Sequence, residues 1–237
     1  MFAKNREDEI SAALLKQPVD LETLRRISRE KGGFQNNGTR IRVWPKLLNV
    51  NRYLPTDYRS YIDPHRDDTQ VRCDVERSLW NFSHIKTWKD SFRDKRRIAL
   101  LEIIMSILCR NKSLFYYQGF HDVVSIFLLV MEEDHLAFAL AEATSAHYLV
   151  DYMTEDFDAV SKSMRMLLVL IKHADAELHA FLVRSKIEPF FATSWLITWF
   201  AHDIRDAGEV ARVFDAFLCS HPMFSFYVCA AVSTTVI

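Results

Sequence analysis

Glycine and proline are scarce, five and six in 237 residues, and nowhere do apolar and polar residues alternate convincingly enough to read as a strand. Those absences exclude a collagen-like, linker-like or sheet-rich chain. No repeat of fixed period is present, which excludes a solenoid or propeller. Charge of one sign is not in excess either: 30 Lys and Arg stand against 31 Asp and Glu, a formal net charge of −1. Such balance supplies no electrostatic drive toward nucleic acid or an anionic membrane. The four cysteines, Cys73, Cys109, Cys219 and Cys229, never form a C-x-x-C pair. A reduced, cytosol-facing setting is the simplest account. The opening MFAKNREDEI is charged and has no apolar centre, so no signal peptide is read. The terminal uncharged run Pro222 to Ile237 is shorter than the ~20 residues a membrane-crossing helix needs. It reads as a core helix.

Familiar catalytic signatures are missing too. None of the nine histidines has metal-ligand spacing, and no metal is expected. There is no G-x-x-x-x-G-K-[ST], no G-x-G-x-x-G and no G-x-S-x-G, so neither a phosphate loop nor a nucleophile elbow is present. Any chemistry then completes a site on another molecule.

What is there is apolar and aromatic, 49% and 13% of the chain, enough to build one all-α domain of about ten irregularly packed helices. Helical spacing runs from Glu7 to Lys16 and stops at Pro18. Asp20 then caps a second helix with Leu21, Leu24 and Ile27 on one face, and Gly32-Gly33 stops it. Residues 1–31 read as an N-terminal helical hairpin. Arg40 and Trp44, four apart, share a face on which a guanidinium can stack on or pack beside an indole, and Pro45 makes the helix start, bend or tighten. Asn49 to Asp68 reads as one long loop, functional or mobile. Val71-x-x-Asp74-x-x-Arg77 places a carboxylate one turn from a guanidinium. Trp88 to Arg110 is a long helix whose basic run, Lys89 to Arg97, reads as a solvated face. Further helices are expected over Asp134–Tyr152, Phe157–Lys172, Glu177–Ser185 (burying Phe181 and Leu182), Ser194–Ile204 and Val210–Cys219.

The stretch Leu114 to Val124, LFYYQGFHDVV, sits where one helix closes and the next opens. Gln118 followed by Gly119 puts a neutral amide beside free backbone N–H groups at the positive end of a helix, a place to meet a phosphate or a polarised water. Read by itself, the pair is more simply a surface cap and a turn.

In their order, Arg40-x-x-x-Trp44-x-x-Leu47-Leu48, Val71-x-x-Asp74-x-x-Arg77, Tyr116-x-Gln118-Gly119 and the Trp195 and Phe214-Asp215 blocks resemble the TBC domain of Rab GTPase-activating proteins. The wording of VWPKLLNV, YYQGFHDVV and SWLITWFAH looks nearest the member-20 branch. The resemblance implies a TBC domain over residues 32–237 and a GTPase-activating function toward a GTP-bound Rab. Arg77 and Gln118 would be the arginine and glutamine fingers supplied in trans. Asp74 would orient the arginine, Tyr116 and Gly119 would shape the backbone at Gln118, and Arg40 and Trp44 would be scaffold bracing the finger. GTP and magnesium belong to the Rab, so no cofactor is expected. The branch is associated with the endoplasmic reticulum and with traffic to the Golgi, on the cytoplasmic face, through a membrane segment not seen here. The family also continues with further helices. A C-terminal truncation is thus expected, with apolar surface exposed around Phe224, Phe226 and Tyr227. A Rab-binding scaffold without catalysis is the alternative reading, and a general helical interaction module a third.

Overall fold

The computed structural model describes residues 2–156 and 158–236, and among them are twelve α-helices and no strand. Helices α1 (Phe2–Leu15) and α2 (Leu21–Arg29) form the expected hairpin. The Asp20 side chain accepts from the Thr23 N–H and caps α2, satisfying one of the donors a helix start leaves open. Ile10, Ala13, Leu24 and Ile27 are buried in the same apolar cluster as the later helices. The hairpin therefore shares the main core.

Helix α3 (Asn37–Leu47) continues past Pro45. Proline cannot donate to the carbonyl four residues back, and here the Arg52 guanidinium donates to that Ile41 carbonyl instead, at 3.2 Å. Arg40 and Trp44 do share a face, but what joins them is a carboxylate and not a stacking contact. Asp215, on α11 (Ala207–Leu218), accepts from Arg40 Nε at 3.0 Å and Nη2 at 3.1 Å, from Trp44 Nε1 at 2.9 Å and from the Phe34 N–H at 3.2 Å. Burial pushes the Asp215 carboxyl up, while Arg40 and the other donors pull it down. Around this knot the Trp44 ring meets Phe127 edge-on and stacks on Phe214. Phe127 belongs to α6 (Phe120–Val130), nearly every residue of which is buried.

Ahead of α6 come α4 (Asp68–Glu76) and α5 (Asp90–Arg110). The Asn49–Asp68 loop is pinned by a 3-10 turn at Tyr58–Tyr61, where Tyr58 stacks on Phe138. The basic run on α5 is not a solvated face throughout: Arg93 is only 1% exposed, because the carbonyls that precede α5 need its donors.

After α6, α7 (Asp134–Thr144) gives way to a π turn at Ser145–Leu149 and a 3-10 turn at Val150–Tyr152, so the expected single helix changes pitch. Next come α8 (Asp158–Ala174) and α9 (Ala176–Arg184); the expected start of the former at Phe157 lies outside the described residues. On α9 Leu182 is buried but Phe181 is exposed. The expected helix over Ser194–Ile204 is cut short. Helix α10 covers only Thr193–Ile197, after which Trp199 and Phe200 take positive φ, 51° and 65°. That conformation costs ~1–2 kcal/mol per residue, offset by burying both rings: Trp199 packs edge-on against Phe214 and Phe217, and Phe200 stacks on Trp195. An unbroken helix would turn Phe200 about 100° away from Trp199. Helix α12 (Phe224–Val236) closes the described chain. Of its three residues expected to be exposed, Phe226 is buried, Phe224 is partly buried and Tyr227 is exposed. Among the described residues no helix is long and apolar enough to cross a membrane.

Candidate functional site

A groove of about 430 Å³ opens between the C-terminal end of α4, the N-terminal end of α6 and the turn after α10. Asp74, Arg77, Gln118 and Gly119 all line it. Arg77 caps the end of α4, and its side chain is 70% exposed while that of Asp74 is 1% exposed. Nη2 donates to Asp74 Oδ1 at 2.8 Å and Nε to the Cys73 carbonyl at 3.2 Å. The guanidinium is thus oriented by two contacts, with Nη1 unpartnered among the described residues. A carboxylate that holds one edge of a guanidinium fixes its plane and leaves the other edge for a ligand.

The second oxygen of Asp74 ties Arg77 to the glutamine loop. Tyr116 Oη donates to Asp74 Oδ2 at 2.9 Å, and Gln70 Nε2 donates to the same oxygen at 3.2 Å. Burial, reinforced by Asp74, pushes the Tyr116 hydroxyl far above its ordinary range, so it stays a donor. With its one proton on Asp74, its oxygen accepts from His121 Nδ1, 2.9 Å away. On the other side of Gln118, Tyr117 Oη donates to the Ile197 carbonyl at 2.6 Å. Gly119 is the N-cap of α6 with φ 114°, and a Cβ there would lie 2.8 Å from Thr198 Cγ2. Only glycine lets the loop lie this close to the turn after α10. Gln118 between these anchors is exposed, and its side chain has no hydrogen bond among the described residues. The loop is rigid at its flanks and presents a free amide.

Among the groove residues that sequence reading missed are His121, Asp122, Thr198 and His202. His121 and Asp122 stand in the LFYYQGFHDVV stretch, where their position in the first turn after Gly119 was the available signal. Thr198 and His202 arrive from about 80 residues further on, inside the SWLITWFAH stretch, where no local spacing marked them as groove residues. His202 Nδ1 donates to Asp122 Oδ2 at 2.9 Å, and that bond raises the imidazole pKa above its ordinary value against the effect of burial. Arg40 and Trp44 line no part of the groove. They join α3 to α11 in the core instead. A larger cleft of about 810 Å³ lies elsewhere, walled by Arg25, Arg29, Tyr148, Met223, Phe224 and Tyr227 among others, and holds none of the expected site residues.

The fold is an all-helical array with an exposed, carboxylate-held arginine and a free glutamine on one groove, and the family model described as Rab-GTPase-TBC domain matches residues 37–235. The chain belongs to that family. It is 39% identical over 231 residues to TBC1 domain family member 20 of Mus musculus, covering 97% of this chain and 57% of that protein. It is 34% identical over 232 residues to GTPase-activating protein gyp10 of Schizosaccharomyces pombe, covering 97% of this chain and 60% of that one. The chain thus spans between half and two thirds of these relatives. Among solved structures, the Ypt/Rab-GAP domain of Gyp1p superposes with a TM-score of 0.69 at 18% identity, covering 98% of this chain and 85% of that chain. At that identity the likeness is one of fold.

Proposed function

We propose that this chain is a GTPase-activating domain for a GTP-bound Rab-family GTPase, to which Arg77 and Gln118 are supplied in trans. GTP and magnesium come with the GTPase, and the chain brings no cofactor of its own. Arg77 would neutralise charge developing between the β- and γ-phosphates, and Gln118 would orient the attacking water; such supplied groups accelerate hydrolysis by ~10³ to 10⁵. The observation that carries this reading is the Asp74–Tyr116 link, because it joins the arginine and the glutamine loop into one hydrogen-bonded unit on a single groove. Preorganisation of that kind acts on the transition state without reorganisation during the reaction. From the member-20 resemblance we place the activity on the cytoplasmic face of the early secretory pathway, between endoplasmic reticulum and Golgi.

The test is hydrolysis of GTP by a panel of purified Rab GTPases with and without this chain. Arg77→Ala and Gln118→Ala should each lower stimulation by ~10²-fold or more with helicity intact. Arg77→Lys should fail as well, since lysine lacks the planar fork that Asp74 grips. Full stimulation by either alanine variant refutes the two-finger assignment, and binding without stimulation by the parent would instead mark a scaffold.

A further inference from the structure

Immediately after Arg77 the chain presents an indole to water. Trp80 is 47% exposed, whereas Trp44 and Trp199 are buried and Trp88 and Trp195 partly so. Its placement is built from three sides. Leu79 takes a left-handed φ of 58°, a conformation a leucine adopts only when its surroundings impose it; its side chain is buried while the next one is turned out. Arg97 donates to the Ser78 carbonyl from Nε at 3.2 Å and from Nη2 at 2.9 Å. Arg93 donates to the carbonyls of Leu79, Ile85 and Trp88, and its guanidinium carbon lies 3.5 Å from the centroid of the Trp80 ring. Arg93 is buried and has no carboxylate partner among the described residues. Two arginines of α5 therefore clamp the backbone on the N-terminal side of Trp80, and the guanidinium of each also lies against its ring. Covering Arg93 accounts for the inner face alone.

We propose that Trp80 is a docking anchor for the GTPase, receiving an apolar side chain from the GTPase surface next to its nucleotide site; this rests on reading the groove as the place where that nucleotide meets Arg77 and Gln118. Ser78 and Asn81, on either side of the Leu79-Trp80 pair, both line the groove. With ~3.8 Å between successive Cα atoms, the Trp80 backbone stands beside the groove, and its exposed side chain adjoins the surface a docked GTPase must cover. The two cations against the ring, Arg93 at 3.5 Å and Arg97 at 5.4 Å, draw on its negative quadrupole, so its exposed part suits an apolar group and disfavours a further cation. A ring already held in place loses little freedom on docking, and tryptophan is among the residues that dominate interface energetics.

The test uses the same panel of GTP-loaded Rab GTPases in steady-state assays with parent, Trp80→Ala, Trp80→Phe and Arg77→Ala proteins. Trp80→Ala should raise KM about 10- to 30-fold and leave kcat within about threefold, with Trp80→Phe recovering most of the loss. Arg77→Ala should show the opposite split. Unchanged KM in a folded Trp80→Ala protein overturns the anchor. Acrylamide quenching, taken as the difference between parent and Trp80→Phe, gives a readout that survives even if the alanine variant misfolds. Trp80 should become protected when the GTPase is bound with GDP and aluminium fluoride, and undiminished quenching there overturns the anchor too. If the parent stimulates no GTPase, the activating function and the anchor fall together. Stimulation that Arg77→Ala abolishes and Trp80→Ala leaves untouched sinks the anchor alone.

Discussion

Replacing Gly119 by alanine separates two physical costs at the glutamine loop. The residue has φ 114° and ψ −19°, outside the range an L side chain adopts comfortably, which costs ~1–2 kcal/mol. The added Cβ would also lie 2.8 Å from Thr198 Cγ2, with Ile197 at 3.9 Å behind it, and overlap of that size in a packed site costs ~1–3 kcal/mol. Together the two come to roughly 2–5 kcal/mol, against the ~5–15 kcal/mol a domain has in all. Gly119→Ala should therefore lower the melting temperature by roughly 4 to 20 °C, at ~2–4 °C per kcal/mol for a chain of this size. Adding Thr198→Ser removes the clashing methyl and keeps the hydroxyl that donates to the Ser194 carbonyl. The double variant should regain the overlap cost and retain the backbone cost. Urea unfolding of the parent, both single variants and the double gives the full cycle. A Gly119→Ala protein within ~0.5 kcal/mol of the parent would refute the left-handed assignment. No recovery in the double variant would refute the contact with Thr198. At a temperature where it is still folded, Gly119→Ala should also lose more stimulation of a Rab than its folded fraction explains, because the loop that holds Gln118 has moved.

Asp215→Asn leaves Arg40 buried without its counter-charge and should destabilise the fold by ~3–5 kcal/mol in urea unfolding; a loss under ~1 kcal/mol would mean that the carboxylate is not ionised in the core. Tyr116→Phe removes the hydroxyl between Asp74 and His121, so single-turnover stimulation should drop about tenfold or more while unfolding changes by only ~0.5–1.5 kcal/mol; unaltered stimulation would show that the link positions nothing. His202 has its pKa raised above 6.5 by donating to Asp122. The stability it contributes is thus fully present below about pH 6.5 and is lost as pH rises through the higher folded value. Melting curves across that window should show the parent losing stability relative to His202→Asn as pH rises, and parallel profiles would contradict the bond.

Local signals were enough for the all-α class, the N-terminal hairpin with its Asp20 cap, the adjacency of Asp74 and Arg77, and the helix start at Gly119. Each of these depends on residues three or four apart, where backbone period and capping chemistry act alone. The resemblance then singled out Arg77 and Gln118 among many exposed polar residues. Tertiary structure decided the rest. That Asp74 accepts from both Arg77 and Tyr116, 42 residues further along, follows from how α4 packs beside the loop before α6. That Thr198 and His202 close the groove follows from a helix broken at Trp199 and Phe200, where burying two rings outweighed helix propensity. That Arg93 is buried and Trp80 exposed reverses what hydropathy predicts for each. Carbonyls left without partners at the end of α4 and the turns after it needed donors, and a guanidinium on the neighbouring helix was within reach. Such choices turn on which groups from distant parts of the chain must share one core, and no local spacing encodes that.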